Sequence, residues 1–292
     1  MRTRSTVLAL SAVLAMTCAA PALAVSDHDT PPVPLPAMEH KGLAAIGLTA
    51  DQRLVEFDVD QPSKTVPAGR VSGLTGDTEL VGIDFRVQNE RLYGVGDRGG
   101  VYTLDTGNAR ATKVSQLTVA LSGTFFGVDF NPAANRLRVI SDTGQNLRHN
   151  IDDAAAVLGT TVDGPLTNPT TTPPATAQGV TGAAYTNNDL NAATATTLFD
   201  LDSLTDRISL QSPANAGTLA PTGSLGINAV PDAGFDIYYS PRTGTNRGFA
   251  TISTGGSYAL YAIDVLNGKA TTRGAFPGRT QVTDIALPPN QG

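Results

Sequence analysis

Cysteine, histidine and tryptophan are nearly absent from this sequence of 292 residues, which contains one Cys, three His and no Trp. Cys18 lies in an N-terminal segment that we expect to be removed, so thiol nucleophiles, disulfides and cysteine-based zinc sites are excluded from the mature chain. His28 and His40 precede the expected folded part, which leaves His149 as its one histidine. A metal site built from several histidines is therefore also excluded.

A secretory signal peptide is predicted for residues 1–24. Arg2 and Arg4 precede an apolar run over residues 7–18, and the small residues up to Ala24 are typical of a cleavage site. The apolar run is too short to cross a bilayer core of roughly 30 Å. We therefore expect a secreted, extracellular protein without a transmembrane segment. The alternatives are an uncleaved membrane anchor and a lipid-modified Cys18.

Acidic residues outnumber basic ones, with 26 Asp and Glu against 20 Lys and Arg and a formal net charge of −6. Loss of Arg2 and Arg4 with the signal peptide makes the charge −8, because that segment contains no acidic residue. Nucleic acid is not expected as a partner, since a polyanion binds a basic surface. The expected partner is an unknown extracellular ligand or surface component, and a cationic partner or bound metal remains open.

Two proline-rich stretches frame the expected domain organisation. Residues 25–41 contain four prolines and few apolar side chains, which predicts a disordered tether before a single folded domain over residues 42–292. Residues 163–178 are rich in proline and threonine and predict a long surface loop. A boundary between two domains is the alternative for this stretch, although the same repeat continues on both sides of it.

One short motif, an aspartate flanked by apolar residues, recurs along the folded part and predicts an internal repeat. Four copies keep the acid, as Asp84, Asp129, Asp236 and Asp284, and the fifth has Ala184 in its place. These positions lie 45 to 55 residues apart, which is near the length of a four-stranded propeller blade. The copies occupy residues 81–85, 126–130, 181–185, 233–237 and 281–285.

A second series of predicted strands runs out of phase with the first, and each member ends in Asp or Asn before a turn. Together with the strands between the two series, this gives four short strands per unit. Blade four is ambiguous, because residues 196–202 fit either its second or its third strand. The second series occupies residues 54–58, 101–105, 146–150, 198–202 and 260–264.

The two ends of the folded part complete each other. The first unit, residues 42–74, lacks the aspartate motif, whereas residues 282–287 contain a spare copy. Insertion of that strand into the first blade closes a ring and leaves no open sheet edge at the seam. We therefore predict an all-β fold, a β-propeller of five blades with the C-terminal strand closing the first blade. A β-solenoid and a six-bladed ring are the alternatives.

The sequence also contains several short motifs that are weak singly but specific for one family when taken together. They include Gly82-Ile83-Asp84-Phe85, Arg91-Leu92-Tyr93-Gly94, Phe126-Gly127-Val128-Asp129-Phe130-Asn131-Pro132, Asn135-Arg136-Leu137-Arg138-Val139, Thr143-Gly144-Gln145-Asn146-Leu147-Arg148 and Gly234-Phe235-Asp236-Ile237. Over residues 44–287 the chain resembles a secreted bacterial family catalogued as a domain of unknown function, number 4394. The resemblance implies secretion and repeated β-structure. It implies no activity, cofactor or catalytic residue, because the family has none established.

The recurring aspartates Asp84, Asp129, Asp236 and Asp284 are the first candidates for chemistry. Matching positions in a propeller point the same way around one axis, so the four carboxylates are expected to form a ring. Such a ring repels itself unless some members are protonated or a hard cation such as Ca²⁺ lies among the oxygens. The four are therefore candidate metal ligands. The alternative is a structural role, in which each carboxylate accepts backbone N–H bonds from its own blade.

Other polar residues are interpreted as structural. Asp200, Asp202 and Asp206 lack the central Gly and distal Glu of a calcium loop and are expected in a solvated hairpin. His149 takes a slot that is apolar in the other repeats, so packing is favoured over a Ser-His-Asp site. Turn capping is expected for the residues that end the second-series strands, namely Asp58, Asp105, Asn150, Asp202 and Asp264.

Two functions from different classes remain. A non-catalytic extracellular binding or surface-interaction propeller is favoured, because nucleophiles and bases are few and propeller loops bind partners without chemistry. The alternative is a metal-assisted or two-carboxylate hydrolase acting at the axial channel, with the four aspartates as metal ligands or as acid and base.

Overall fold

A computed structural model describes residues 42–152, 159–168, 172–191 and 193–291. The predicted signal peptide and tether, residues 1–41, lie outside the described residues. Strands dominate these ranges, whose helical content is one short 3-10 helix, Ala214–Ala216. No helix among the described residues is long and apolar enough to span a bilayer.

Five four-stranded antiparallel sheets, numbered here as blades 1 to 5, account for 20 of the 22 strands. In order across the sheet, blade 1 contains β22 (Val282–Ala286), β1 (Ala44–Thr49), β2 (Arg53–Asp58) and β3 (Val66–Arg70). Blade 2 contains β4 (Leu80–Arg86), β5 (Arg91–Gly96), β6 (Gly100–Leu104) and β7 (Ala111–Gln116). Blade 3 contains β8 (Phe126–Asn131), β9 (Arg136–Ser141), β10 (Asn146–Asn150) and β11 (Gly159–Val162).

Blades 4 and 5 follow the same plan. Blade 4 contains β14 (Val180–Tyr185), β15 (Leu198–Asp202), β16 (Arg207–Gln211) and β17 (Leu219–Ser224). Blade 5 contains β18 (Ala233–Ser240), β19 (Thr245–Thr254), β20 (Ser257–Ile263) and β21 (Ala270–Ala275). The two further strands, β12 (Thr167–Asn168) and β13 (Ala175–Thr176), pair with each other.

The first strands of the five blades form a closed ring. β22 contacts β4, and the contacts continue through β8, β14 and β18 back to β22. This order makes the fold a five-bladed β-propeller, which confirms the predicted fold and leaves the β-solenoid and the six-bladed ring unrealised. All five copies of the aspartate motif lie on these innermost strands.

The ring is closed by a blade that both ends of the folded part share. β22 pairs antiparallel with β1, so that Ile46 lies opposite Ala286 and Leu48 opposite Asp284. Beyond this strand, Gln291 holds the seam, because its side chain accepts a 2.7 Å hydrogen bond from the backbone N–H of Ala44. The predicted entry of the C-terminal strand into blade 1 is thereby confirmed.

Apolar side chains fill the spaces between neighbouring blades in five clusters. Successive side chains of a strand point to opposite faces, and each blade has a neighbour on both faces, so many strands are apolar on both sides. Between blades 4 and 5, for example, Phe199 and Ile208 pack with Phe235 and Ile252. A chain of this size can bury enough apolar surface to be stable without disulfides.

The structure settles one choice that the sequence left open and corrects one detail of the predictions. Residues 198–202 form β15, the second strand of blade 4, whereas the other members of their series form third strands. An alternating apolar and acidic pattern fits either position, which is why the sequence left the choice open. The proline- and threonine-rich loop contains the β12–β13 hairpin, and its ends are buried at Leu166 and Ala177 rather than lying entirely on the surface.

Candidate functional site

Four buried carboxylates lie on the innermost strands, one each from blades 1, 2, 3 and 5. The exposed fractions of Asp84, Asp129 and Asp236 are 3%, 1% and 2%, and that of Asp284 is 9%. One carboxylate oxygen from each of Asp84, Asp129 and Asp236 lies within 4.8 Å of the other two. Blade 4 has Ala184 at this position and contributes no charge. We call Asp84, Asp129, Asp236 and Asp284 the axial carboxylates.

Glycine two residues before the aspartate lets the innermost strands approach this closely. A Cβ atom on Gly127 would lie 2.6 Å from the backbone nitrogen of Ala183 on the next blade. A Cβ atom on Gly234 would lie 2.4 Å from the Cα of Asp284. Cβ atoms essentially never approach other atoms this closely, so the Gly-x-Asp pattern brings the neighbouring backbone against the carboxylates in blades 3 and 5, whereas blade 1 has Val282 in place of the glycine.

Three of the axial carboxylates bond to the backbone of the next blade in the ring. Asp284 Oδ2 accepts a 2.8 Å hydrogen bond from the N–H of Ile83, and Asp236 Oδ2 accepts one of 2.6 Å from that of Leu287. Asp84 Oδ2 accepts one of 2.7 Å from the N–H of Phe130. The structural role expected from the sequence, bonding within one blade, is therefore only part of what these side chains do.

Bonds within the same strand supplement these contacts. Asp236 Oδ1 accepts a 2.5 Å bond from the N–H of Ile237, and Asp284 Oδ1 accepts one of 2.9 Å from that of Ile285. Both oxygens of each of these two carboxylates therefore have a protein donor.

Asp129 differs from the other three. Both of its carboxylate oxygens are buried, and neither has a hydrogen-bond partner among the described residues. Burial raises the pKa of Asp129, and the nearby backbone N–H of Tyr185 opposes that rise although it does not reach hydrogen-bond geometry. A buried acceptor without a donor costs about 1–3 kcal/mol, and more when it is charged. Asp129 is therefore the axial carboxylate with the least compensation from the described protein atoms.

Burial is the largest cause of the raised pKa values of the axial carboxylates. It raises the pKa of Asp84, Asp129 and Asp284 well above the ordinary value and that of Asp236 to about 7. The negative charge of Asp236 raises the pKa of Asp84 further, and that of Asp84 acts likewise on Asp129. Backbone N–H donors oppose the rise. Full ionisation of this cluster is thus unfavourable without a counter-charge.

The donor set fits a hard cation. All the available ligand atoms are carboxylate oxygens, which Ca²⁺ prefers, and no thiolate or imidazole lies among them. Among the described residues, no Lys, Arg or His forms an ion pair with an axial carboxylate. Asp84, Asp129 and Asp236 are the residues that would hold such an ion, with Asp284 adding negative charge beside them.

His149 lies away from these carboxylates, between blades 2 and 3. It is 2% exposed, its Nε2 lies 2.8 Å from Ser115 Oγ, and its Nδ1 lies 3.1 Å from Thr160 Oγ1. Burial lowers the pKa of His149. The third group is a threonine hydroxyl and not a carboxylate, so the arrangement is not a Ser-His-Asp triad. The described contacts agree with the packing role that the sequence favoured.

The residues that end the second-series strands cap turns, as predicted. Each accepts a bond from a backbone N–H two residues ahead, as Asp58 does from Asp60 at 2.8 Å and Asp264 from Leu266 at 3.0 Å. The equivalent acceptors are Asp105, Asn150 and Asp202.

The solvated hairpin expected for Asp200, Asp202 and Asp206 is correct as a hairpin but wrong as solvated. Asp200 and Asp202 are 0% and 1% exposed. The reason is that blade 4 is covered on both faces by its neighbours, so even its polar strand positions face protein.

Sequence analysis missed a polar layer between blades 3 and 4. Its centre is Arg138, which is 1% exposed and whose Nη1 lies 2.6 Å from Asp163 Oδ2. The same guanidinium donates to Asn146, Asn215 and the hydroxyl of Tyr185. The one sequence signal was an arginine at a position flanked by Leu and Val in a strand.

Solved structures show only weak similarity to this chain. A protein of unknown function from Bacteroides thetaiotaomicron VPI-5482 is 14% identical, with a TM-score of 0.44 over 84% of this chain and 64% of that chain. A chain of a Mitotic Checkpoint Complex structure is 14% identical, with a TM-score of 0.43 over 98% and 93%. A protein from Lactobacillus plantarum is 17% identical, with a TM-score of 0.37 over 80% and 66%. These values add nothing to the fold that the strand pairing defines.

Sequence comparison identifies the family. No curated protein matches the sequence of this chain. The sequence model of one family, described as Domain of unknown function (DUF4394), matches residues 53–286. The match begins at β2, ends with β22 and includes all four axial carboxylates, which confirms the resemblance found in the motifs. This protein belongs to the DUF4394 family.

Proposed function

We propose that this protein is a secreted, non-catalytic binding propeller that holds one hard divalent cation of the Ca²⁺ class among its axial carboxylates. The observation that carries the proposal is Asp129. Its two buried oxygens have no donor in the part of the chain that the structure describes, and one of them lies within 4.8 Å of oxygens from Asp84 and Asp236. A bound cation supplies the missing partner and removes the repulsion among the carboxylates.

A cation at this place would act on the whole ring. Asp84, Asp129 and Asp236 come from blades 2, 3 and 5, so one ion would join blade 5 to two blades that are distant from it in sequence. The loops at the strand ends then remain as the surface that binds an extracellular partner, because loops tolerate variation while a rigid scaffold positions them. The binding role and the cation are therefore parts of one proposal.

The hydrolase alternative receives less support from this geometry. A carboxylate that acts as acid, base or metal ligand in hydrolysis must approach the bond that is cleaved. Asp84, Asp129 and Asp236 are each 3% exposed or less. Such burial suits a permanently held ion better than an exchanging substrate.

Thermal unfolding of the purified mature protein, in excess chelator and then in excess Ca²⁺, tests the proposal. At a free Ca²⁺ concentration 100 times the dissociation constant, a single site adds about 2.7 kcal/mol to the free energy of unfolding. For a domain of this size we expect a rise of about 5–10 °C in the midpoint. Asp129→Asn should remove most of that rise, because it takes away one charge with little change in volume.

The matched control is Asp264→Asn, which changes the same side chain at an exposed turn on blade 5. This variant should keep the full Ca²⁺-dependent rise. A wild-type midpoint that is the same in chelator and in Ca²⁺ would overturn the cation and leave the axial carboxylates as protonated ties between blades. If Asp129→Asn keeps the Ca²⁺-dependent rise in the midpoint, the ion binds at a place other than the axial carboxylates.

Secretion is tested separately. The sequence of residues 1–24 supports export and cleavage after Ala24. Expression of the full chain in a bacterial host, followed by N-terminal sequencing of the protein from the medium, should give a chain that begins at Val25. Retention in the membrane fraction would contradict secretion without affecting the cation.

A further inference from the structure

A second cluster of unpartnered oxygens lies between blades 3 and 4, in the polar layer around Arg138. Both carboxylate oxygens of Asp200, the hydroxyl of Ser209 and the side-chain carbonyl of Gln211 are buried without a hydrogen-bond partner among the described residues. The three residues are 0%, 0% and 2% exposed. None of them belongs to the axial carboxylates.

The register of blade 4 brings these side chains together. Asp200 on β15 lies directly opposite Ser209 on β16, and Gln211 is two residues further along β16. Residues directly opposite have Cβ atoms about 4.5–5.5 Å apart, and diagonal neighbours remain within reach of a long side chain. Since alternate residues share a face, all three point to the same side of the blade.

That side faces blade 3. Leu198, on the same face as Asp200, packs with Ile140 and Leu166, which belong to blade 3 and the loop that follows it. Phe199 and Ile208, on the other face, pack against blade 5. The positive charge of Arg138 on β9 also acts on Asp200 and opposes the rise in its pKa that burial causes.

The neighbouring cations are already bound to other groups. Arg138 bonds to Asp163, Asn146, Asn215 and Tyr185, and no bond to Asp200 is formed. Arg207 Nη2 donates to Asn168 at 2.7 Å.

Arg207 also lies 3.5 Å from Asp202, so the charge of Asp202 has a partner. Asp200 is therefore the one acid of this polar layer, among the described residues, without a contacting cation or donor. A water molecule would satisfy hydrogen bonds here but would bring no counter-charge.

The side-chain oxygen of Gln211 is buried and has no partner among the described residues. The Nε2 of Gln211 donates to the backbone carbonyl of Ala214, which leaves Oε1 as the free end of the amide. Carboxylate, hydroxyl and amide oxygens are a ligand set that selects hard cations. Leu166 and Ala177, from the two ends of the stretch that links blades 3 and 4, are buried in the apolar cluster that also contains Leu198.

We propose that Asp200, Ser209 and Gln211 form a second cation site, for one hard divalent ion of the Ca²⁺ class, buried between blades 3 and 4. This site is independent of the axial one, because the two share no ligand. A bound ion would join β15 to β16 on the face of blade 4 that packs against blade 3, at the interface where blade 4 lacks an axial carboxylate.

Counting bound ions separates the two sites. Purified mature protein is dialysed to equilibrium against Ca²⁺ with excess monovalent salt, and the Ca²⁺ bound per chain is measured by mass spectrometry of the metal. We expect two ions in the wild type, one in Asp200→Asn, one in Asp129→Asn and two in the Asp264→Asn control. Titration calorimetry of Ser209→Ala should show the second ion bound about tenfold more weakly, a loss of roughly 1.4 kcal/mol.

The outcomes distinguish this proposal from the axial one. A count that Asp129→Asn lowers and Asp200→Asn leaves unchanged overturns the second site and keeps the first. If the wild type binds one Ca²⁺ per chain and only Asp200→Asn abolishes that binding, the second site is supported and the axial ion is overturned. A count of zero overturns both. If Asp200→Asn does not fold, unchanged Ca²⁺ affinity in Ser209→Ala overturns the second site, and the weaker binding supports it.

Discussion

The backbone N–H of Phe130 donates a 2.7 Å hydrogen bond to Asp84 Oδ2 and so ties the innermost strands of blades 2 and 3. Asp284 ties blade 1 to blade 2 in the same way, and Asp236 ties blade 5 to blade 1. The motif aspartate therefore stabilises the ring between blades. Its recurrence along the sequence reflects the recurrence of the interface.

Two neutral substitutions at Asp84 isolate this interblade bond. Asp84→Asn keeps a side-chain oxygen that accepts from Phe130, whereas Asp84→Ala leaves that buried N–H without a partner. We expect the free energy of unfolding of Asp84→Ala to be about 1–3 kcal/mol lower than that of Asp84→Asn. Chemical denaturation in excess chelator measures the difference without a contribution from bound cation.

The same two substitutions at Asp129 are the control, because no backbone N–H bonds to its carboxylate. There we expect Asn and Ala to differ by less than about 1 kcal/mol, since neither gains nor loses a donor. Equal losses at Asp84 and Asp129 would mean that the cavity left by alanine, and not the hydrogen bond, sets the cost.

The axial carboxylates predict an unusual pH dependence for the cation-free protein. Burial raises the pKa of Asp236 from 3.8 to about 7 and those of its neighbours well above 3.8, so the folded state binds more protons than the unfolded state above pH 4. Stability therefore declines as pH rises through the folded-state pKa values. In chelator we expect the midpoint temperature of unfolding to decrease as the pH is raised from 5 to 8.

Excess Ca²⁺ should remove most of this fall, because the bound ion favours the ionised carboxylates. Comparing one protein with and without Ca²⁺ also cancels the opposite contribution of His149, whose lowered pKa makes stability rise with pH near its unfolded value. The measurement is thermal unfolding at four pH values in each condition. A steeper fall in Ca²⁺ than in chelator would contradict the assigned sign.

The buried pair Arg138 and Asp163 is expected to be strongly coupled. Their side chains are 2% and 5% exposed, and Arg138→Met leaves the oxygens of Asn146 and Asn215 without their donor. Asp163 keeps Arg148 as a partner, so the expected loss for Arg138→Met, about 2–5 kcal/mol, comes mainly from the buried acceptors left without a donor. In the double variant Arg138→Met/Asp163→Asn, the loss in free energy of unfolding should be about 1–3 kcal/mol smaller than the sum of the losses in the two single variants. Chemical denaturation of the four proteins of the cycle gives this coupling.

An exposed pair provides the comparison. Arg53 and Asp51 lie 2.9 Å apart, with side chains 47% and 66% exposed. Arg53→Met should cost less than about 1 kcal/mol, because water screens the charges in both states. A similar cost at both arginines would show that burial does not strengthen the pair at Arg138.

The architecture was readable from the sequence because a propeller repeats its signals. The spacing of Asp84, Asp129, Asp236 and Asp284 indicated the blade length, and the unmatched copy around Asp284 indicated closure of the ring. These features depend on patterns local to one blade. Residues 198–202 escaped assignment because second and third strands are buried alike and show the same alternation.

The contacts between blades were not readable, because the partners are distant in sequence. The donor to Asp284 comes from Ile83, 201 residues away. The lack of a hydrogen-bond donor to Asp129 could not be predicted either, because the motif around Asp129 is indistinguishable from the motif around Asp84. Arg138 shows the same limit, for an arginine in a strand is usually at the surface, whereas this one is buried by contacts with Asp163 and Asn215, which are distant in sequence.

Deletion of residues 282–292 should prevent formation of the closed ring. β22 is the innermost strand of blade 1, and Val282, Ile285 and Leu287 are buried in the cluster between blades 5 and 1. Without it, β1 becomes an unpaired edge and the N–H of Ile83 loses its acceptor. We expect aggregation or loss of cooperative unfolding, measured by gel filtration and thermal circular dichroism.

The shorter deletion of residues 288–292 is the matched control, because it keeps the whole of β22. It removes Gln291, which bonds to Ala44 through its side chain and accepts from the hydroxyl of Tyr238 through its carbonyl. Loss of these bonds should cost about 1–3 kcal/mol and lower the midpoint by roughly 2–12 °C while unfolding stays cooperative. If the longer deletion unfolded cooperatively at the wild-type midpoint, the ring would not depend on its C-terminal strand, and the closure seen here would be energetically unimportant.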